Sequence, residues 1–158
     1  MIKRSLCLGA LTLLTFTFAD AQTMNYGTSI NLDTAKKVTA PAVAEARKNQ
    51  LTMVVAIVDT AGDLVYLERM DDTQVGSVDV AISKARSAAR FKRPTKAFQD
   101  ALAAGGEGLR ILALQGAVPV DGGVPLVIGG KIVGAIGVSG GTSAQDGQVA
   151  AAGVAAIK

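Results

Sequence analysis

The chain has 158 residues, 49% of them hydrophobic but only 4% aromatic, with no tryptophan and a formal net charge of +3. It contains no histidine and a single cysteine, Cys7, so a Cys/His zinc site, a histidine general base and a histidine-ligated haem iron are all excluded. The net charge is too small to argue for a nucleic-acid partner.

Met1-Ile2-Lys3-Arg4 is basic, Leu6 to Phe18 is apolar apart from scattered Thr, and Ala19-Asp20-Ala21 follows. This order is the layout of a secretory signal peptide. The apolar run is shorter than the roughly 20 residues a bilayer-spanning helix needs, so the expectation is a cleaved leader over residues 1–21 and no membrane span afterwards. The product is expected to be secreted or periplasmic. Cleavage would remove Cys7 and leave residues 22–158 as one domain, able neither to form a disulfide nor to use a cysteine nucleophile.

Beyond a short polar arm holding Tyr26 and Gly27, Asn31-Leu32-Asp33 reads as a helix start, with Asn31 or Asp33 as the cap. Leu32, Ala35, Val38, Ala42, Val43 and Ala46 recur at helical spacing, and Pro41 should kink or divide that helix. Met53 to Asp59 and Leu64 to Met70, joined by Thr60-Ala61-Gly62-Asp63, read as a β-hairpin. A helix follows from Val78 to Arg90, with Ser77 as its expected cap and Val78, Ala81, Ile82, Ala85 and Ala89 as its apolar stripe. Pro94 ends it, and Thr95 is the expected cap of a short helix reaching Ala103. Lys84, Arg86, Arg90, Lys92, Arg93 and Lys96 form the densest basic cluster; it reads first as a solvated helix face, with an anion contact as the sharper alternative.

Gly105 to Gly108 reads as a mobile connection, Leu109 to Leu114 fits either a short helix or a strand, and Pro119 marks Ala117 to Val120 as a short edge strand. Leu126-Val127-Ile128 and Lys131 to Val138 are strands around a Gly129-Gly130 turn that needs positive φ. Gly134 and Gly137 lie inside the second strand, where a missing side chain admits another backbone or a ligand. Thr142 or Ser143 caps the last helix, Ala144 to Ile157. The order describes an α+β domain with a largely antiparallel sheet. The N–H groups of Gly140 and Gly141 suit a carboxylate or phosphate, although close packing explains the glycines equally well, and the pattern matches neither nucleotide-binding fingerprint.

Val58-Asp59-x-x-Gly62-x-Leu64-Val65, Arg69-Met70-Asp71, Ala81-x-x-Lys84-Ala85-x-x-Ala88, Gly122-Gly123-Val124-Pro125-Leu126 and Gly134 to Gly141 with Asp146, in that order, resemble the GlcG/HbpS family. The resemblance runs from about Leu32 to Ala156. It implies a central antiparallel sheet of about five strands flanked by helices, similar to profilin. It further implies homo-oligomers, haem binding and degradation in some members, and kinship with the C-terminal part of PduO-type cobalamin proteins. Some tetrapyrrole-binding relatives use a histidine on the metal, which this chain lacks.

The resemblance thus implies a small-molecule ligand, haem or a related tetrapyrrole, held through a weak site without histidine. Arg69, Lys84, Arg90 or Lys96 would pair with its propionates, while Gly123, Gly140 and Gly141 line the family's Gly-rich stretch. Met70, Met53, Tyr66 and Thr95 are the alternative metal ligands, and methionine in an apolar run is more often core; the metal is unassigned. Two competing readings stay open. One is an enzyme or sensor for a small organic acid, with Arg69 and Lys84 on the acid and Asp146 as base, against a plain dipole role for Asp146. The other is a structural module that forms oligomers through Gly and Ala surfaces.

Overall fold

The computed structural model describes residues 24–157; the expected signal peptide lies outside them. Helix α1 is Leu32–Lys48, capped by the Asn31 side chain, which accepts from the Thr34 N–H, and it runs undivided through Pro41. Strand β1 (Val54–Val58) and strand β2 (Leu64–Arg69) form the first hairpin. Helix α2 (Ser77–Phe91) and helix α3 (Thr95–Ala103) follow, then a 3-10 segment, Gly106–Ala113. Strand β3 (Gly123–Ile128), strand β4 (Lys131–Ser139) and helix α4 (Ser143–Val154) complete the chain, with a last 3-10 turn at Ala155–Ile157.

The sheet is antiparallel and has the order β2-β1-β4-β3. The α+β class is as expected, but among the described residues the sheet has four strands rather than about five. Past Val58, the last β1 residue paired with β4, the N-terminal arm takes over the same edge of β4: Gly27 N donates to Ile132 O, Ile132 N to Asn25 O and Ile30 N to Val133 O. That contact is a single parallel bridge at Tyr26, too short to count as a strand. Ala117 to Val120 is not an edge strand, because Pro119 has no N–H to offer β3 and the Val118 N–H goes instead to the Ser87 hydroxyl. Gly105 to Gly108 is not a loose connection but the start of the 3-10 segment. Pro125 sits in β3, at the edge of the sheet, where a missing donor costs least.

Alternation divides the sheet into two faces. Val55, Ile57, Ile136 and Val138 join Val38, Ala42 and Ala46 of α1 and Val149 and Ala150 of α4 in the main core. Val54, Ala56, Val58 and Ala135 meet Ala81, Ala85, Ala88 and Ala89 of α2 on the other face. That second layer is thin because its side chains are small. A Cβ on Gly137 would run into the Ala81 carbonyl and the Ala85 nitrogen, and one on Gly134 into the Val58 carbonyl. Both strand glycines therefore admit backbone rather than a ligand. In the β3–β4 turn, Gly129 and Gly130 have φ of +56° and +73°, as a two-residue hairpin requires.

Candidate functional site

The close approach of α2 to the sheet brings Lys84 under the Gly-rich stretch. Its side chain is 1% exposed and its Nζ donates to Asp146 Oδ2 at 2.6 Å and to the Val138 carbonyl at 3.0 Å. Asp146, 4% exposed, also accepts the Gly141 N–H on Oδ1 at 3.0 Å. Burial holds its carboxyl above the usual carboxylate range, with the Lys84 and Gly141 hydrogen bonds pulling the other way and Asp121 adding a smaller push upward. Lys84 thus leaves the solvated face on which its basic neighbours lie.

The adjoining residues close this junction from above. Thr95 does not cap α3, whose N-cap is Pro94; its buried hydroxyl accepts the Gly123 N–H at 2.9 Å. Space there is so tight that a Cβ on Gly123 would strike the Lys84 carbonyl. Ser77 likewise does not cap α2: it is buried, and its hydroxyl accepts from Gln74 and from the Ser139 hydroxyl. Thr142 caps α4, with Gln145 closing a capping box. Gly140, at φ +151°, packs against Thr52 and Met53. The junction pins α2, the ends of β3 and β4, and the first turn of α4 to one another.

Of four surface cavities among the described residues, none is lined by Lys84 or Asp146. One, of about 370 Å³, lies between the N-terminal arm and the β3–β4 turn and includes Asn31 and Lys131. Two overlapping ones at the end of β2 share Arg69, Met70, Asp71 and Asp72, and the larger measures about 490 Å³. Arg69 donates there to the Thr73 carbonyl, while Met70 packs partly against the main core. The smaller one adds Arg47 and Glu68, so three carboxylates beside two guanidiniums make this an indifferent place for an anion.

The fourth cavity, about 340 Å³, lies between α2 and residues 115–118 and is lined by Ser83, Arg86, Arg90, Phe91, Gln115, Gly116 and Val118. Arg86 donates its Nε to the Gly62 carbonyl and Arg90 its Nε to the Ala61 carbonyl, each at 2.8 Å. Among the described residues neither arginine pairs with a carboxylate, and neither uses its terminal nitrogens within the protein. Two guanidiniums held in place with their outer donors unspent, beside the aromatic side chain of Phe91, suit a flat ligand with acidic groups.

The expected site residues therefore separate. Lys84, Thr95, Gly123, Gly141 and Asp146 meet at the junction, with Gly140 beside it; Arg69 and Met70 lie on the acidic shelf. Arg90 faces the fourth cavity, and Lys96 is exposed on α3, paired with Asp100. Met53 is fully buried, and the Tyr66 hydroxyl contacts Glu68. Arg86 belongs to the basic cluster whose alternative reading was an anion contact but was not among the residues named for the ligand, and Phe91 was not singled out at all; the four-residue spacing of Arg86 and Arg90 on one helix face signals a pair. No group of three or more metal-ligating side chains occurs among the described residues, and no helix among them is long and apolar enough to cross a membrane.

Comparison with known proteins agrees with the architecture. The family described as haem-degrading protein HbpS-like matches residues 30–155. The chain is 38% identical to protein GlcG of Escherichia coli K12 over 105 residues, 66% of this chain and 77% of that one. A double mutant of Streptomyces reticuli HbpS superposes with a TM-score of 0.76 at 27% identity, covering 99% of both chains. A crystal structure of a PduOC:haem complex superposes with a TM-score of 0.74 at 30% identity, over 83% of this chain and 96% of that one.

Proposed function

The chain belongs to the family of HbpS-like haem-degrading proteins, and on that premise we propose that it binds haem or a related tetrapyrrole in the cavity between α2 and residues 115–118. The observation that carries this reading is the pair Arg86 and Arg90, anchored through Nε and open at their terminal nitrogens, beside Phe91. Support also comes from the similarity to a PduOC domain whose structure is a haem complex. Of the cavities, this one offers two cations and no carboxylate; the shelf with Arg69 and Met70 sets Asp71 and Asp72 against an acidic ligand.

The fit to haem is partial, and its two halves differ. The propionates suit the guanidiniums, and Phe91 suits a ring face. The iron finds no histidine, and none of the lining side chains is a strong ligand for it. A volume of about 340 Å³ is small for a ligand site, room for one edge of a macrocycle. The binding we propose is therefore weak and exchangeable, governed by the acidic edge. The organic-acid reading is not favoured, because Lys84 and Asp146 already satisfy each other in the interior.

Titration with haemin, followed at the Soret band, tests the proposal. We expect a saturable change, weakened about tenfold by Arg90→Ala, the loss of one charge-assisted pair. Lys37→Ala, on the opposite face of the sheet, should leave it unaltered. A titration without saturation, or an Arg90→Ala protein that binds as the parent does, would overturn it. Export and self-association belong to the same proposal: the leader pattern at residues 1–21 supports the first, and exposed Leu109, Leu112 and Leu114 support the second. N-terminal sequencing of the exported protein should begin at Gln22, and light scattering should give a multiple of the monomer mass; an uncleaved N-terminus or a monomer would count against them.

A further inference from the structure

A half-buried and an exposed arginine on one helix, Arg86 and Arg90, do not ordinarily hold a fixed geometry, because long side chains lose rotamer freedom when ordered. Here the β1–β2 turn supplies the order. The Asp59 carboxylate accepts through one oxygen, Oδ1, from the N–H groups of both Ala61 and Asp63, each at 2.9 Å. The main chain closes the same loop, with Asp59 N donating to Asp63 O at 2.9 Å and Gly62 N to Asp59 O at 3.1 Å. Four hydrogen bonds within five residues leave the carbonyls of Ala61 and Gly62 facing α2. Adjacent carbonyls then meet side chains four residues apart: Gly62 O takes Arg86, and Ala61 O takes Arg90.

We propose that this turn is the device that aims both guanidiniums at the ligand's acidic edge, and that Gly62 and Asp59 are positioning residues for it. The proposal rests on the reading of the α2 cavity as the ligand site. Glycine is required at position 62 for two reasons at once. Its φ is +90°, in the region that disfavours side chains. A Cβ there would lie 2.7 Å from Arg86 Cγ and 2.9 Å from Arg90 Nε, so a single methyl group would dislodge both arginines. Because the turn takes only the Nε donor of each, the terminal nitrogens remain for planar groups with two acceptor oxygens. Carboxylates are the ligand groups that match them.

Two measurements on the full domain separate this proposal from the one it builds on. Without ligand, ¹H–¹⁵N spectra of the arginine Nε–H groups should show slowly exchanging signals from Arg86 and Arg90, assigned by Arg86→Lys and Arg90→Lys and set apart from that of Arg93, whose Nε donates to the Phe91 carbonyl. Gly62→Ala should abolish both. Asp59→Ala should weaken them and Asp59→Asn, which keeps an Oδ1 acceptor, should restore them; this pair keeps the test open if Gly62→Ala does not fold. In haemin titrations Gly62→Ala should cost about tenfold in the parent, yet less than about twofold when Arg86 and Arg90 are both already alanine, since coupled residues are not additive. Signals that persist in both Gly62→Ala and Asp59→Ala overturn the positioning role. Signals lost with haemin affinity unchanged overturn it as a device for the ligand. A parent protein that binds no haemin overturns the ligand site, and with it the device for aiming arginines at a ligand, while the spectra still report whether the turn holds them.

Discussion

Lys84 and Arg86 are two residues apart on α2, yet they face opposite chemistry. A step of two residues is about 200° around a helix, so Lys84 points into the sheet side with Ala81, Ala85 and Ala88, while Arg86 and Arg90 point towards the β1–β2 turn and the open cavity. Lys84 meets a carboxylate and a carbonyl and is consumed by them. Arg86 and Arg90 meet only carbonyls, which hold a guanidinium without neutralising it. The partner decides the role: a carboxylate turns a cation into a structural pin, whereas a carbonyl leaves its charge for a ligand.

The largest effect that would sharpen this contrast is at the junction. Lys84→Ala leaves Asp146 buried without its cation, and breaking such a pair costs about 3–5 kcal/mol. Denaturant unfolding should show a loss of that size; a change under about 1 kcal/mol would break the account of Lys84 as a pin. The arginines should behave the other way round. Arg86→Ala and Arg90→Ala together should move stability by about 1 kcal/mol or less, as surface changes do, while removing most haemin binding. A large loss of stability with binding intact would reverse the assignment of the two regions.

The smallest effects concern pH, and they oppose each other in sign. Because burial raises the Asp146 carboxyl, the folded state holds that proton more tightly than the unfolded chain. Its contribution to stability is present below the ordinary carboxylate value and is lost as pH rises through the raised one. Glu45 on α1 is lowered, first by the amide of Gln148 and then by that of Asn49. Its contribution is present above the ordinary value and is lost as pH falls through the lowered one. Asp146→Asn should remove the first slope from a stability-against-pH curve and Glu45→Gln the second. Slopes that survive these substitutions would contradict the assignments.

Much of the fold was legible in the sequence because local signals and core pattern agree. Asn31 caps α1, Gly129-Gly130 turns the second hairpin, and a continuous apolar run rich in β-branched residues marks β1. The site was less legible, since its geometry depends on contacts far apart in the chain. Lys84 and Asp146 are separated by 62 residues, and only the close approach of α2 at Gly137 puts an ammonium where it can reach Val138 and Asp146. Thr95 carries an ordinary helix-cap signal, but Gly123, 28 residues on, claims its hydroxyl. The six basic residues from Lys84 to Lys96 look like one cluster in sequence; helical phase divides Lys84 from Arg86 and Arg90, and the end of α2 separates Lys92, Arg93 and Lys96 from all three.

The most direct test of the claim that Arg86 and Arg90 hold an acidic edge, while Lys84 serves the fold, is to compare haemin with haemin dimethyl ester on the parent protein. The ester keeps the macrocycle and the iron and blocks both propionates. Haemin should bind at least about tenfold more tightly than the ester, a difference of about 1.4 kcal/mol, and replacing both arginines by alanine should bring the two ligands level. Equal affinities for haemin and its ester on the parent protein would contradict the account.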